Sequence, residues 1–555
     1  MYNVSMIQGE IKRALFFALK KAYPDIDPGN IDIERTKDPS FGDFTTNISM
    51  KIASTLKSDP HIISKNIAAE IKSDLFSANA VAGFINFKMA PDYYQKQLKK
   101  ILTEKDKYGS SKILAGKKIQ VEFVSANPTG PMHIGNGGRG GFGGDVIANV
   151  LARLGAKIER EFYVNDAGTQ IKTLGESALA AAGFPVETEE IYRGDYIDQW
   201  IKGKKTELTK LKEDPFKIGE KFANEIMAKY IKPTLKDMKI TFDSYFTEKS
   251  LTTKGLIDKA LADFRKRDLV YEEDGALWFR ASSYGEKNDH VLLRSDGTPA
   301  YYLGDIAYHY NKLVDRKFDK VIDIWGADHH GHVERMQAAV RAMGQGGKLD
   351  IIITQLVRLI KGGKEFKMSK RKGTSVTMED LFHLIAGTER KLTPSQIKEA
   401  SDVARFFFLS RDFSTHMDFD LDLAREHSEK NPVFYVKYAH ARICSILSKS
   451  TKYRSDKANL SLLIDPKEID LIKEISKLPE ILIAIAADRN YPIHHLTFYS
   501  RSVASSFHSF YDACRVIDVD NPELTRARVK LVEATQTVLR IVMEDLIGID
   551  APKKM

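Results

Sequence analysis

A strand, a glycine-rich turn and a helix start follow one another between Ile119 and Leu154, and no other stretch of this 555-residue chain limits its fold so tightly. Ile119, Val121 and Phe123 alternate as one face of a strand, with Glu122 on the other. A loop runs from Ser125 to Pro131. A helix is predicted from about Gly138 to Leu154, with Ile147, Val150, Leu151 and Leu154 as its apolar stripe and Gly155 at its C-cap. Lys157 to Val164 reads as the second strand. This order makes an α/β, doubly wound Rossmann-type domain, whose ligand sits at the carboxyl ends of the strands.

Other modules flank that unit. Residues 1–110 read as an α+β module, with Ile11, Ala14, Leu15, Ala18 and Leu19 marking one face of a helix and Gly83 to Phe87 a strand. The doubly wound domain is expected over 111–401. A mostly helical insertion occupies about 185–285, and the sheet resumes at Lys320 to Trp325 and Ile351 to Leu356. Residues 402–555 read as all helix, with Asp465-Pro466 and Asn521-Pro522 opening two of the helices.

Composition excludes several classes. Cys444 and Cys514 are the only cysteines, too few for a disulfide framework or a multi-cysteine zinc site. The apolar stretch Ala14 to Leu19 is too short for a secretory signal, and no apolar run approaches membrane-spanning length. The expected location is the cytoplasm. An excess of 84 Lys+Arg over 75 Asp+Glu, +9 in all, suits a large polyanion such as RNA.

Two distant segments carry phosphate chemistry. In Met132-His133-Ile134-Gly135-Asn136-Gly137-Gly138, His133 can donate to a phosphate or ribose oxygen. Gly135, Gly137 and Gly138 allow close backbone approach, and the following helix start adds a favourable dipole. Alone, the segment also fits a glycine-rich turn with a surface histidine. Five of the ten residues from Lys364 to Gly373 are basic, and Gly362-Gly363 and Gly373 bracket the stretch, so the loop 362–373 can close over a triphosphate. Alone, it also fits a solvated basic loop. Together the two read as halves of one ATP site.

His133-Ile134-Gly135-Asn136 followed by Lys367-Met368-Ser369-Lys370 resembles the paired motifs of class I aminoacyl-tRNA synthetases. Longer runs resemble the arginyl-tRNA synthetase family along the whole chain: Phe41 to Phe44, Ala82 to Phe87, Ser125 to Gly135, Tyr163 to Gly168, Tyr192 to Tyr196, Trp325 to His330, Asn431 to Arg442, and Ala551 to Met555. Two residues depart from the family pattern. Asn136 stands where the motif usually has histidine, and Lys437 where glutamine is usual.

The resemblance implies an aminoacyl-tRNA ligase. ATP with Mg²⁺ and L-arginine would form arginyl-adenylate, and the arginyl group would pass to the 2′-hydroxyl of tRNA(Arg). No structural metal, membrane or DNA partner is expected. His133 and Lys370, helped by Asn136 and Lys367, would be catalytic. ATP would touch His133, Gly135, Asn136, Gly137 and Lys367 to Lys370. The resemblance puts Asp305, Glu122 and Tyr301 on the guanidinium, Asn127 and His329 near the α-amino group, and Ser125 and His133 in the same pocket. Arginine's charged fork of donors does call for matching carboxylates, and Tyr301 and Asp305 share a face if their segment is helical. Asp305 as a helix-surface carboxylate beside a core tyrosine is the plainer alternative. Asp328-His329-His330-Gly331-His332 would suit a metal, but no second Asp/His cluster supplies the rest of a two-metal site. Tyr435, Tyr438 and Arg442 can present rings and a cation to single-stranded RNA on one helix face, or the tyrosines can be core. Met555 and Arg515 are tRNA candidates by resemblance, and the N-terminal module a tRNA-binding appendage.

Overall fold

A computed structural model describes residues 6–36, 38–366 and 376–555. Its centre is a five-stranded sheet whose neighbouring strands are all parallel. In spatial order the strands are Leu349–Thr354, Lys320–Gly326, Lys118–Glu122, Lys157–Val164 and Ser244–Thr247. The first strand in sequence is the middle one. The chain winds outward on one side through Lys157–Val164 and Ser244–Thr247, then crosses to the other side. That reversal opens a crevice at the carboxyl ends of Lys118–Glu122 and Lys320–Gly326.

The helix after the first strand is composite. It begins at Ile134–Asn136, widens into a π-turn over Gly137–Gly141, and continues as Phe142–Arg153. It therefore starts a turn earlier than the sequence suggests. Gly155, with φ +98°, ends it by donating to Ala152 O. The glycines in the wide turn serve the interior. A Cβ on Gly138 would stand 2.9 Å from the Phe408 ring, and one on Gly144 would stand 2.3 Å from Phe123.

Ser244–Thr247 corrects the expected helical insertion, since it forms the outer strand of the main sheet. Val270–Glu273, Ala276–Phe279 and His290–Leu293 add a small antiparallel sheet. These strands have four residues each, too short for alternation to stand out. The stretch after Asp402 is likewise not all helix, because Met417–Asp420 pairs in parallel with Val357–Lys361. Asp465 and Asn521 do cap the helices Pro466–Ile475 and Pro522–Arg540.

The helix Pro394–Leu409 (the link helix) ties these layers together. Arg405, 1 % exposed, donates to Asp145 Oδ2 and Ile547 O at 2.8 Å each and to Met238 O at 3.0 Å. One turn earlier, Asp402 accepts from Lys239 at 2.7 Å, Lys437 at 2.6 Å and Asp550 N at 3.0 Å. Lys437, where the family usually has glutamine, is thus half of a buried ion pair between the link helix and the helix Pro432–Lys449 (the tyrosine helix).

Candidate active site

The crevice is floored by the end of the middle strand. Immediately after it, Val124 and Ser125 take φ +67° and +37°, conformations that cost a non-glycine residue energy and cluster at functional sites. The kink turns Ser125 back on the strand. Its Oγ donates to Glu122 Oε1 at 3.0 Å and accepts from Tyr163 N at 3.1 Å.

The helix Tyr301–Tyr310 crosses above the sheet and presents Tyr301 and Asp305 on one face, as their spacing suggests. Tyr301 is 61 % exposed, while Asp305 is half-buried where the helix meets the crevice. Burial, with Glu122 and Glu248 nearby, pushes the Asp305 carboxyl up to about 7. Asp305 in turn raises the Tyr301 hydroxyl. Asp305 is therefore not an ordinary surface carboxylate, and Tyr301 is not a core tyrosine. Glu122 is buried, which raises its carboxyl, and Lys312 opposes that rise from 2.5 Å.

Sequence reasoning missed Glu248. It follows the outer strand, its Oε2 is buried without a hydrogen-bond partner, and it faces Asp305, Tyr301 and Tyr163 closely enough to shift all three. Its own carboxyl is raised by burial and by Asp166. The available signal was a carboxylate at the carboxyl end of a strand, hidden because that strand was taken for part of a helical insertion.

The opposite wall is aromatic. His332 lies 6.4 Å from the Tyr301 ring, His329 6.0 Å from His332, and Trp325 6.0 Å from His329, all measured between centroids. His329 is exposed, and among the described residues no group of three or more His, Cys, Asp or Glu is placed to hold a metal ion. Asn127 is exposed in the loop after the strand.

His133 opens the composite helix from an extended conformation, with Gly135 and Asn136 exposed beyond it. Gly137 is buried, its N–H donates to His133 O, and a Cβ there would stand 2.8 Å from Met378, so its lack of bulk serves protein packing. Lys367, Met368, Ser369 and Lys370 lie outside the described residues. Val376 to Met378 lie against the first motif. Ile134 N donates to Val376 O at 3.0 Å, Met378 N donates to Met132 O at 2.9 Å, and His133 pairs with Thr377 as an isolated antiparallel bridge.

Far from the crevice, the tyrosine helix carries Tyr435, Tyr438 and Arg442 beside His508. The rings of Tyr435 and Tyr438 lie 5.3 and 6.0 Å from the imidazole, and the Arg442 guanidinium is 4.3 Å from the Tyr511 ring. Tyr438 is exposed and Tyr435 half-buried. Met555, 56 % exposed, lines a cavity of about 170 Å³ with Phe434 and Lys437.

Comparison with known proteins matches residues 97–403 to the catalytic domain of class I tRNA synthetases (R), 9–89 to the arginyl-tRNA synthetase N-terminal domain, and 436–555 to the DALR anticodon-binding domain. The chain is 42 % identical to the arginine–tRNA ligase of Bacillus subtilis, covering 95 % of this chain and 94 % of that one. It is 41 % identical to that of Moorella thermoacetica, covering 94 % and 93 %. The solved arginyl-tRNA synthetase of Thermus thermophilus shares the fold, with TM-score 0.78 at 22 % identity over 99 % of this chain and 100 % of that one.

Proposed function

The chain belongs to the arginyl-tRNA synthetase family, and we propose that its ATP and arginine meet in the crevice between Lys118–Glu122 and Lys320–Gly326. It is an aminoacyl-tRNA ligase: it activates arginine with ATP and transfers it to tRNA.

One observation carries it. The backbone of Ile134 and Met132 is hydrogen-bonded to Val376 and Met378, which ties the end of the lysine segment to the first motif. Lys370 is six residues from Val376, within a chain reach of roughly 20 Å. In this reading His133 and Asn136 donate to phosphate oxygens on one side, and Lys367 and Lys370 neutralise the β- and γ-phosphates on the other. Gly135, Met368 and Ser369 line the nucleotide, whose Mg²⁺ travels with the triphosphate. The arginine carboxylate attacks the α-phosphorus. The bond to the bridging oxygen breaks, and pyrophosphate leaves with its electron pair. A ribose hydroxyl of tRNA(Arg) then attacks the arginyl carbonyl and releases AMP. The protein's part is positioning and charge stabilisation.

Asp305 and Glu122, joined by Glu248, surround the guanidinium with acceptors, and Tyr301 closes over it. Asn127, Ser125 and His329 hold the main-chain end. Lysine has one ammonium in place of the fork, so it would leave buried acceptors unpaired, and that supports rejection. Tyr435, Tyr438, Arg442 and Met555 supply the tRNA surface. The site of action is the cytoplasm, where its tRNA partner is charged; among the described residues no helix is long and apolar enough to cross a membrane.

Lys370→Ala tests the phosphate reading. ATP–pyrophosphate exchange should fall about 10²–10³-fold while tRNA binding persists. Unchanged exchange would remove the lysine from the reaction.

A further inference from the structure

Three carboxylates stand abreast on the middle of the main sheet. Asp323, Glu122 and Glu161 are paired in register on neighbouring parallel strands, and their exposures are 0 %, 8 % and 0 %. Like charges side by side on a sheet repel, and burial sharpens the repulsion. A stripe from Tyr308 to Arg316 on the overlying helix and its π-turn answers them, with help from Gln120 on the middle strand. Tyr308 Oη and Gln120 Nε2 each donate to Glu161 Oε1 at 2.7 Å, and Arg316 pairs with Glu161 Oε2 at 2.6 Å. His309 spans Asp305 O and Asp323 Oδ2, both at 2.8 Å. Lys312, fully buried, reaches Glu122 Oε2 at 2.5 Å and Asp323 Oδ1 at 3.0 Å, with its ammonium 4.1 Å from the Tyr308 ring. It sits in a π-turn, Asn311–Asp315, and such turns recur at functional sites.

Among the described residues Asp305 forms no ion pair, although His309 and Lys312 act on it from a distance, and Glu248 Oε2 has no hydrogen-bond partner. The crevice thus holds carboxylates of two kinds: those balanced from within, and those left for a ligand. Lys312 divides them at Glu122, which it grips by one oxygen while Ser125 marks the other.

We propose that Lys312 is a positioning residue for arginine recognition, holding Glu122 as an ionised acceptor of fixed orientation beside Asp305. This rests on the reading of Glu122 as an arginine ligand. The groups facing Glu122 are Asp323, Glu161 and Tyr163 from the adjacent strands, Lys312 and Tyr308 from the helix, and Asp305 and Tyr301 across the crevice. Without Lys312, Glu122 would lose the cation that opposes the rise burial gives its carboxyl, and would hold a proton more readily. Arginine would then have to displace that proton as well as the one on Asp305.

The test is kcat/KM for arginine, measured by pyrophosphate exchange with tRNA present, from about pH 6 to about pH 9. The wild-type acid limb should follow one proton. In Lys312→Met it should move up by about one pH unit or more and steepen to two protons, with the ATP KM within about twofold. Lys312→Arg should restore the single-proton limb. So should Lys312→Met combined with Glu122→Gln, since the acceptor that lost its counter-cation is then neutral. An acid limb unmoved in Lys312→Met overturns the inference, as does a parallel rise in both KM values that Lys312→Arg also shows. Should Lys312→Met not fold, the double variant decides: folding with a one-proton limb supports the proposal, and continued failure to fold makes the lysine purely structural. Glu122→Gln separates the layers. An unchanged arginine KM there refutes the pocket reading itself, whereas a raised KM with no shift in Lys312→Met refutes only the role of Lys312.

Discussion

Asp305 makes the pocket pH-sensitive in a definite direction. Its carboxyl, pushed up to about 7, is neutral below that pH and charged above it, whereas arginine is charged throughout. kcat/KM for arginine should therefore rise through about pH 7 and level off above it. The acid limb of kcat should lie lower, because bound guanidinium favours the carboxylate. Asp305→Asn should raise the arginine KM about 10²-fold and leave the ATP KM within a few-fold, as expected from losing a charged hydrogen bond; equal effects on both would argue for a folding role. Single residues also show where sequence reasoning stops. The spacing of Tyr301 and Asp305 is readable as a helix face, but that Asp305 lies over a crevice depends on which strands flank it. Gly137 and Gly138 announce close approach without saying to what, and the answer is Met378 and Phe408, from chain far downstream.

At the scale of elements, the link helix is the joint with most at stake. Its Arg405 serves the Phe142–Arg153 helix, the turn after Asp237 and the final helix at once, and a Cβ on Gly548 would collide with it. Arg405→Met leaves Asp145 with only the longer contact to Arg160 at 3.4 Å, and should cost about 3–5 kcal/mol in denaturation. Lys437→Gln leaves Asp402 its other two partners and should cost only about 1–2 kcal/mol by the same measurement. The long helices and the central strands were legible because their apolar periods run for several turns or residues. Ser244–Thr247 and Met417–Asp420 were not, being four residues each and strands only by virtue of the neighbours they pair with. The same limit hid Glu248 and the stripe from Tyr308 to Arg316, whose meaning depends on the carboxylates beneath it.

At the scale of the molecule, the link helix and the tyrosine helix join the sheet that forms the crevice to the C-terminal helices, which match the DALR anticodon-binding domain. Tyr438→Ala should raise the KM for tRNA about tenfold or more, as expected for one lost base stack, and leave the KM values for ATP and arginine unchanged. Altered small-substrate KM values would instead place the ring in the protein's own packing. The buried acidic row has a further consequence during synthesis. Glu122 and Glu161 leave the ribosome well before Lys312 and Arg316, and the partner strand Lys320–Gly326 emerges later still. Until then, the face that carries Glu122 and Glu161 lacks the cations that answer it in the folded protein, and covering it would bury two carboxylates held only by Ser125 and Gln120. Covering that face before Lys312 and Arg316 are in place should therefore be costly, which favours closing the centre of the sheet together with the helix that bears them.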